Sequence, residues 1–347
     1  MRATDLPTRM RPTFSLQLVN PPFGDPGLLV DFLFEKRAVL FDLGDIRALS
    51  PRKLLRISHV FVSHTHMDHF MGFDWLLRVS LGGPNAIQLF GPPGILAQVE
   101  AKLAAYTWNL VQNYEGNFTL QVGELHPGGD LERARFACRE RFQRQPLPPI
   151  HCDDGLLVSE RGFRVRAAFL DHEVPVLGFA LEEPWHVNLW KNQLAAMGLP
   201  VGPWLQGLKQ AVLAGASDAT PIRACWKSDG RSVERTLTLA ELRPAIRIVP
   251  GSRIAYVTDV VHHAENVRRI VELARGADVL LIESVFLDED AAHAARKFHL
   301  TARQAGSIAR AAAVGQVIPF HFSPRYAGRE AALRRELEQA FRGGQSG

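Results

Sequence analysis

Short apolar runs rich in β-branched and aromatic residues recur along this chain, separated by segments with helical spacing. Leu28 to Phe34, Ala38 to Leu43, Ile57 to Val62, Ala86 to Gly91 and Val279 to Ile282 read as strands, the first two as a hairpin leading to Gly44-Asp45. Phe70 to Arg78, Gly94 to Ala105, residues 262 to 275 and Thr301 to Ala313 read as helices, with Thr301 placed to cap the last. This strand-turn-helix rhythm predicts an α/β protein. It breaks between Glu183 and Val249, where Trp185, Trp190, Trp204 and Trp226 and the Gly/Pro content follow no single core period. That stretch is predicted to be an insertion, and packing inside a small helical subdomain is the expected use of its tryptophans.

Composition narrows the picture modestly. With 347 residues and 46% hydrophobic content the chain can fill one large core, so residues 1–347 are read as a single domain. The net charge of +4 suits a polyanionic substrate without demanding one. Cys138, Cys152 and Cys225 form no CxxC pair, so neither a disulfide framework nor a thiolate metal site is expected, and a reducing, cytoplasmic location fits. The N-terminus lacks a long apolar run, and no segment offers the roughly 18 uninterrupted apolar residues of a membrane span.

The chemistry is concentrated in His64-Thr-His66-Met-Asp68-His69, on a turn between a predicted strand and a predicted helix. Turns at strand C-termini are where open α/β folds place reactive groups. From an extended backbone His64 and His66 can reach one metal ion, while Asp68 and His69 point towards a neighbouring one, as a dinuclear hydrolase requires.

This HxHxDH pattern resembles the metallo-β-lactamase superfamily, which implies a four-layer αββα sandwich with two metals at one edge of its sheets. The resemblance implies three further ligands: His172 in Asp171-His172-Glu173, Asp259 at the end of Arg253 to Asp259, and His321 in His321-Phe-Ser323-Pro-Arg325-Tyr326. Within the superfamily the chain is most similar to the ribonuclease Z family. That similarity rests on the HFSPRY string, on Phe298-His299-Leu300-Thr301-Ala302 and on Asp278 to Phe286 with Glu283. It also implies that residues 186–245, which carry Gly198-Leu-Pro-Val-Gly202-Pro203, form an arm that grips tRNA, in a homodimer if the arm acts in trans.

As implied by the resemblance, His64, His66 and His172 hold one zinc ion and Asp68, His69 and His321 the other, with Asp259 bridging; manganese or iron(II) are alternatives. Asp68 orients the nucleophilic hydroxide, His299 donates a proton to the leaving 3′ oxygen, and Glu283 orients the imidazole. Ser323 and Arg325 follow a ligand directly and are candidates to contact phosphate oxygens. The expected reaction is removal of the 3′ trailer of precursor tRNA.

Three departures keep a second reading open. The opening loop Val19 to Gly27 holds prolines where the family has a glycine-rich turn, Val260 follows Asp259, and the connection from His69 to His172 is long and arginine-rich. The alternative is a small-molecule metallohydrolase, such as a cyclic-nucleotide phosphodiesterase, sulfatase, or ester or lactone hydrolase. His126 and the His151-Cys152-Asp153-Asp154 string are read as non-ligands, since the seven expected positions are filled.

Overall fold

Strands that are apolar on both faces need cover on both sides, and the fold provides it with two sheets pressed together and helices outside each. The computed structural model describes residues 14–33, 35–160, 162–183, 186–228 and 231–343. The chain forms two compact units, residues 183–251 and the remainder.

In the larger unit, β1 (Phe14–Leu18), β2 (Leu28–Phe32), β3 (Ala38–Phe41), β4 (Ile57–Phe61), β5 (Ala86–Gly91), β6 (Thr119–Leu125), β7 (Asp130–Ala137) and β8 (Gln145–His151) make one sheet in chain order. Strands β3 to β6 are parallel, so their C-terminal ends share one edge. The second sheet begins with β9 (Leu156–Ser159), β10 (Arg164–Asp171) and β11 (Pro175–Glu182). After β11 comes the smaller unit, with β12 (His186–Leu189), β13 (Pro221–Ser228), β14 (Arg231–Thr238) and β15 (Ile246–Val249). The chain then returns as β16 (Arg253–Val257), β17 (Val279–Glu283) and β18 (Gln316–Phe320), giving the order β18-β17-β16-β11-β10-β9.

Side-chain alternation divides the core. Val39 and Phe41 of β3 face inward, where Phe41 stacks on Phe61 at 5.2 Å and on Tyr256 of the other sheet at 5.7 Å. Ala38 and Leu40 face outward into a cluster shared with helices Phe73–Ser80 and Ile95–Ala104. On the far side, helices Ala264–Ala274, Ala302–Ala311 and Glu330–Arg342 cover the second sheet. The result is the αββα sandwich. Thr301 caps its helix through a reciprocal pair, accepting from Gln304 N while Gln304 Oε1 accepts from Thr301 N.

Two expectations need correction. The helix expected from Phe70 to Arg78 is broken into Met67–Phe70 and Phe73–Ser80. Gly72 N donates to Leu43 O, and a Cβ on Gly72 would lie 2.2 Å from Gly44 O, so the break lets this segment pack against the loop after β3. The arginine-rich run lies in β7 and the turn after it: Arg133 and Arg139 tie to backbone carbonyls, and Arg135 pairs with Glu140. The smaller unit is mixed, since two antiparallel ladders, β12 with β15 and β13 with β14, accompany helices Lys191–Ala196 and Trp204–Leu213. Trp204 is buried among Leu194, Leu208 and Leu237, whereas Trp190 is half-exposed under the Arg247 guanidinium. Trp185 lies outside the described residues.

Candidate metal centre

Each ligand expected from the sequence sits just past a strand or in a turn at one edge of the sandwich. His64, His66, Asp68 and His69 follow β4; His172 occupies the β10–β11 turn; Asp259 follows β16 and His321 follows β18. Asp259 and His321 have positive φ (35° and 59°), as does Asp42 after β3 (57°). Such strain in non-glycine residues persists only where the surroundings over-determine it.

The side chains converge. Nε2 of His64, His69 and His172 lie 3.6, 3.4 and 3.6 Å from Asp259 Oδ2, and His64 Nε2 is 2.9 Å from His66 Nδ1. His321 reaches Asp259 Oδ1 through Nδ1 at 2.8 Å and Asp68 Oδ2 through Nε2 at 3.3 Å. Two donor groups result, His64/His66/His172/Asp259 and Asp68/His69/His321, each with its atoms within 4.8 Å of one another.

The surrounding hydrogen bonds fix which imidazole nitrogen faces the centre. Asp42 is fully buried; its carboxylate accepts from Ser63 N (2.7 Å), Ser63 Oγ (2.9 Å), Tyr256 OH (2.9 Å) and His69 Nδ1 (3.0 Å). Because Ser63 Oγ donates to Asp42, it accepts from His64 Nδ1 at 3.1 Å. His172 Nδ1 donates to Phe298 O at 2.8 Å. With Nδ1–H donating outward, Nε2 of each neutral imidazole presents a lone pair inward, the tautomer a metal ligand needs.

Three such lone pairs aimed at one carboxylate oxygen repel unless positive charge lies among them. His69 Nε2 and His321 Nδ1 are buried without a well-directed hydrogen-bond partner. Burial opposes charge on His69, yet Asp259 and Asp42 hold its imidazole well above the usual histidine range. Burial likewise opposes charge on His321, and Asp259 and Asp68 push it up to about 10. Burial, reinforced by His69, pulls His64 down to about 2. These groups therefore call for cations in a space too crowded for several protons, and the N/O donor set suits divalent metals.

His299 and Glu283 stand beside the cluster. Glu283 is fully buried; Oε1 accepts from Val260 N (2.7 Å) and Leu300 N (3.2 Å), and Oε2 from His299 Nδ1 (2.8 Å). Val260, one of the departures, thus supplies an amide that ties the Asp259 turn to Glu283. His299, His321, Ser323 and Arg325 line one groove together with Lys297 and His293. Arg325 is engaged by Asp290 at 3.3 Å and lies over the Phe286 ring, so its guanidinium is only partly available. The proline-bearing opening loop docks on the last ligand segment through Phe322 N to Pro22 O (2.7 Å) and Phe23 against Phe322.

Sequence reasoning missed Asp42, Ser63 and Tyr256. The available signal was an acid directly ending an apolar strand, Ala38-Val-Leu-Phe-Asp42, the same form as the segment that ends at Asp259.

Comparison with known proteins agrees with this geometry. Ribonuclease Z of Deinococcus radiodurans is 31% identical over 305 residues, covering 87% of this chain and 86% of its own. The chain belongs to the ribonuclease Z family. Ribonuclease Z of Enterococcus faecalis is 29% identical over 327 residues, 91% of this chain and 87% of its own. The Beta-lactamase superfamily domain matches residues 209–322, which include Asp259, Glu283, His299 and His321. Among solved structures, the short form of human tRNase Z has a TM-score of 0.53 at 18% identity, covering 90% of this chain and 93% of its own. The metallo-β-lactamase fold protein YhfI of Bacillus subtilis gives 0.52 at 14%, covering 94% and 92%. Both share the fold. As a ribonuclease Z family member with this donor set, the chain is a metal-dependent hydrolase.

Proposed function

We propose that this chain is a two-zinc endoribonuclease that removes the 3′ trailer of precursor tRNA, with manganese or iron(II) as alternative ions. The observation that carries the reading is the His299–Glu283 pair, held by a buried carboxylate beside a seven-residue donor cluster. His64, His66 and His172 would hold one ion, Asp68, His69 and His321 the other, and Asp259 both. Bound metals would supply Lewis-acid polarisation of the phosphate and a water ionised near neutral pH.

The protein's own residues do the rest. Asp68, whose carboxylate is held below the usual range by His321 against the opposing effect of burial, stays an anion and accepts a hydrogen bond from the attacking oxygen. That oxygen bonds to phosphorus as the bond to the 3′ oxygen breaks. The leaving oxygen takes its proton from His299 Nε2, the ring nitrogen Glu283 does not engage. Ser323 and Arg325 line the same groove and are assigned to the flanking phosphates. The smaller unit, containing residues 186–245, is assigned to gripping tRNA, in a cytoplasmic homodimer.

The test is purified protein with a precursor tRNA and, in parallel, bis(p-nitrophenyl) phosphate, with RNA ends mapped. Cleavage at one position after the acceptor stem, leaving a 3′ hydroxyl, supports the reading. Turnover of the small phosphodiester without defined RNA cleavage would instead favour the small-molecule hydrolase.

A further inference from the structure

A second cluster of metal-binding groups lies on the first sheet, outside the centre described above. Glu124 and Glu132 face each other directly across the antiparallel β6–β7 ladder, and His126 follows two residues after Glu124 on the same face. Like charges directly opposite in a ladder are unfavourable, and Glu124 is buried, so its position asks for a cation. His126 Nε2 lies 3.3 Å from Glu124 Oε1 and 3.7 Å from Glu132 Oε1. That nitrogen is buried but makes no well-directed hydrogen bond to either carboxylate. The three donor atoms lie within 4.8 Å of one another.

The support around these groups is rigid. Glu124 Oε2 accepts from Leu96 N at 2.9 Å in the first turn of helix Ile95–Ala104, which fixes the carboxylate and leaves Oε1 facing His126. His126 N donates to Asp130 O at 2.8 Å, continuing the ladder past the strand end. The cluster also shares the edge of the main centre. Phe61 pairs with Phe90 and Phe90 with Gly123, so His126 lies as far beyond that level on β6 as His64 does beyond β4.

We propose that Glu124, His126 and Glu132 form a third, structural site for a zinc-class divalent cation, completed by solvent. One imidazole and two carboxylates at a hairpin end suit zinc or a similar transition ion, whereas calcium and magnesium prefer all-oxygen sets. Such an ion ties β6, β7 and the helix start together. This assignment stands independently of what the enzyme cleaves.

The test uses the full chain, stripped with chelator, re-equilibrated with zinc and analysed by mass spectrometry for bound metal. Glu132→Ala, at an exposed position, and His126→Ala should each lower zinc content by about one equivalent relative to wild type. Hydrolysis of bis(p-nitrophenyl) phosphate should be unchanged. An anomalous difference map of wild-type crystals at the zinc edge should show a peak beside His126 Nε2. Equal zinc content in wild type and Glu132→Ala, or no anomalous peak beside His126, overturns the proposal.

Discussion

His299 Nδ1 lies 2.8 Å from Oε2 of the fully buried Glu283, whose other oxygen takes the backbone amides of Val260 and Leu300. One carboxylate therefore orients the proposed acid and joins two of the loops that build the cleft. Burial opposes a proton on His299, but Glu283 outweighs it and holds the imidazole above its ordinary value. The acid form then persists to higher pH, and kcat should fall only as pH rises through that raised value. Glu283→Gln should move the alkaline limb to lower pH and cut kcat by about ten- to a hundredfold with KM little changed. A pH–rate profile of both proteins checks this, and an alkaline limb that stays in place would contradict the role.

Asp68 is half-exposed and its carboxylate meets the site histidines His321 (3.3 Å) and His69 (3.6 Å) without packing into the apolar core, so Asp68→Ala should fold normally. Turnover should drop at least about tenfold through loss of a ligand and of the group that orients the attacking oxygen. Circular dichroism with steady-state kinetics tests it; near-wild-type kcat at unchanged metal content sinks the assignment.

Asp42 touches no substrate, yet four donors depend on it. Asp42→Ala should cost about 3 kcal/mol or more in stability, because the donors left behind are buried. Metal affinity should weaken about ten- to a hundredfold as His64 and His69 lose their orientation. Urea denaturation and competitive zinc titration measure the two effects separately.

Gly44 meets the metal loop at close range: an added Cβ would lie 2.5 Å from Asp68 O and 2.6 Å from Pro26 O, both backbone atoms. Gly44→Ala should displace the Asp68–His69 segment, destabilise the fold by about 1–3 kcal/mol and lower bound metal. A thermal melt with metal analysis decides it, and an unchanged result on both counts refutes the packing argument.

Glu182 at the end of β11 pairs directly with Arg253 at the start of β16, so the smaller unit is inserted into what is otherwise an antiparallel hairpin. Replacing residues 183–252 with a two-residue Asn-Gly turn should leave the larger unit folded. If the smaller unit grips tRNA, KM for precursor tRNA should rise while hydrolysis of a small phosphodiester stays within about threefold of wild type. Unchanged tRNA cleavage defeats the gripping role, and loss of small-substrate turnover points to a pocket wall instead.

Much of this protein was legible before any coordinates. Continuous apolar runs such as Ala38 to Phe41 and capped helical stretches such as Thr301 to Ala311 identify elements, because local patterning reports which faces must be buried. The candidate ligands His64, His66, Asp68 and His69 were legible for a similar reason: adjacent donor side chains on one turn carry their geometry in their spacing. His172, Asp259 and His321, far apart in the chain, could be named only by resemblance to a family. Tertiary structure alone decided what supports them. That Asp42 collects four donors, that the Val260 amide meets Glu283, and that Gly72 must interrupt a helix to pack on Gly44 are consequences of strands closing into one edge. The same holds for Glu124 and Glu132, whose opposition across a ladder depends on register. No local sequence period encodes such contacts, since each arises when segments distant along the chain are brought within hydrogen-bonding distance by burial of the core.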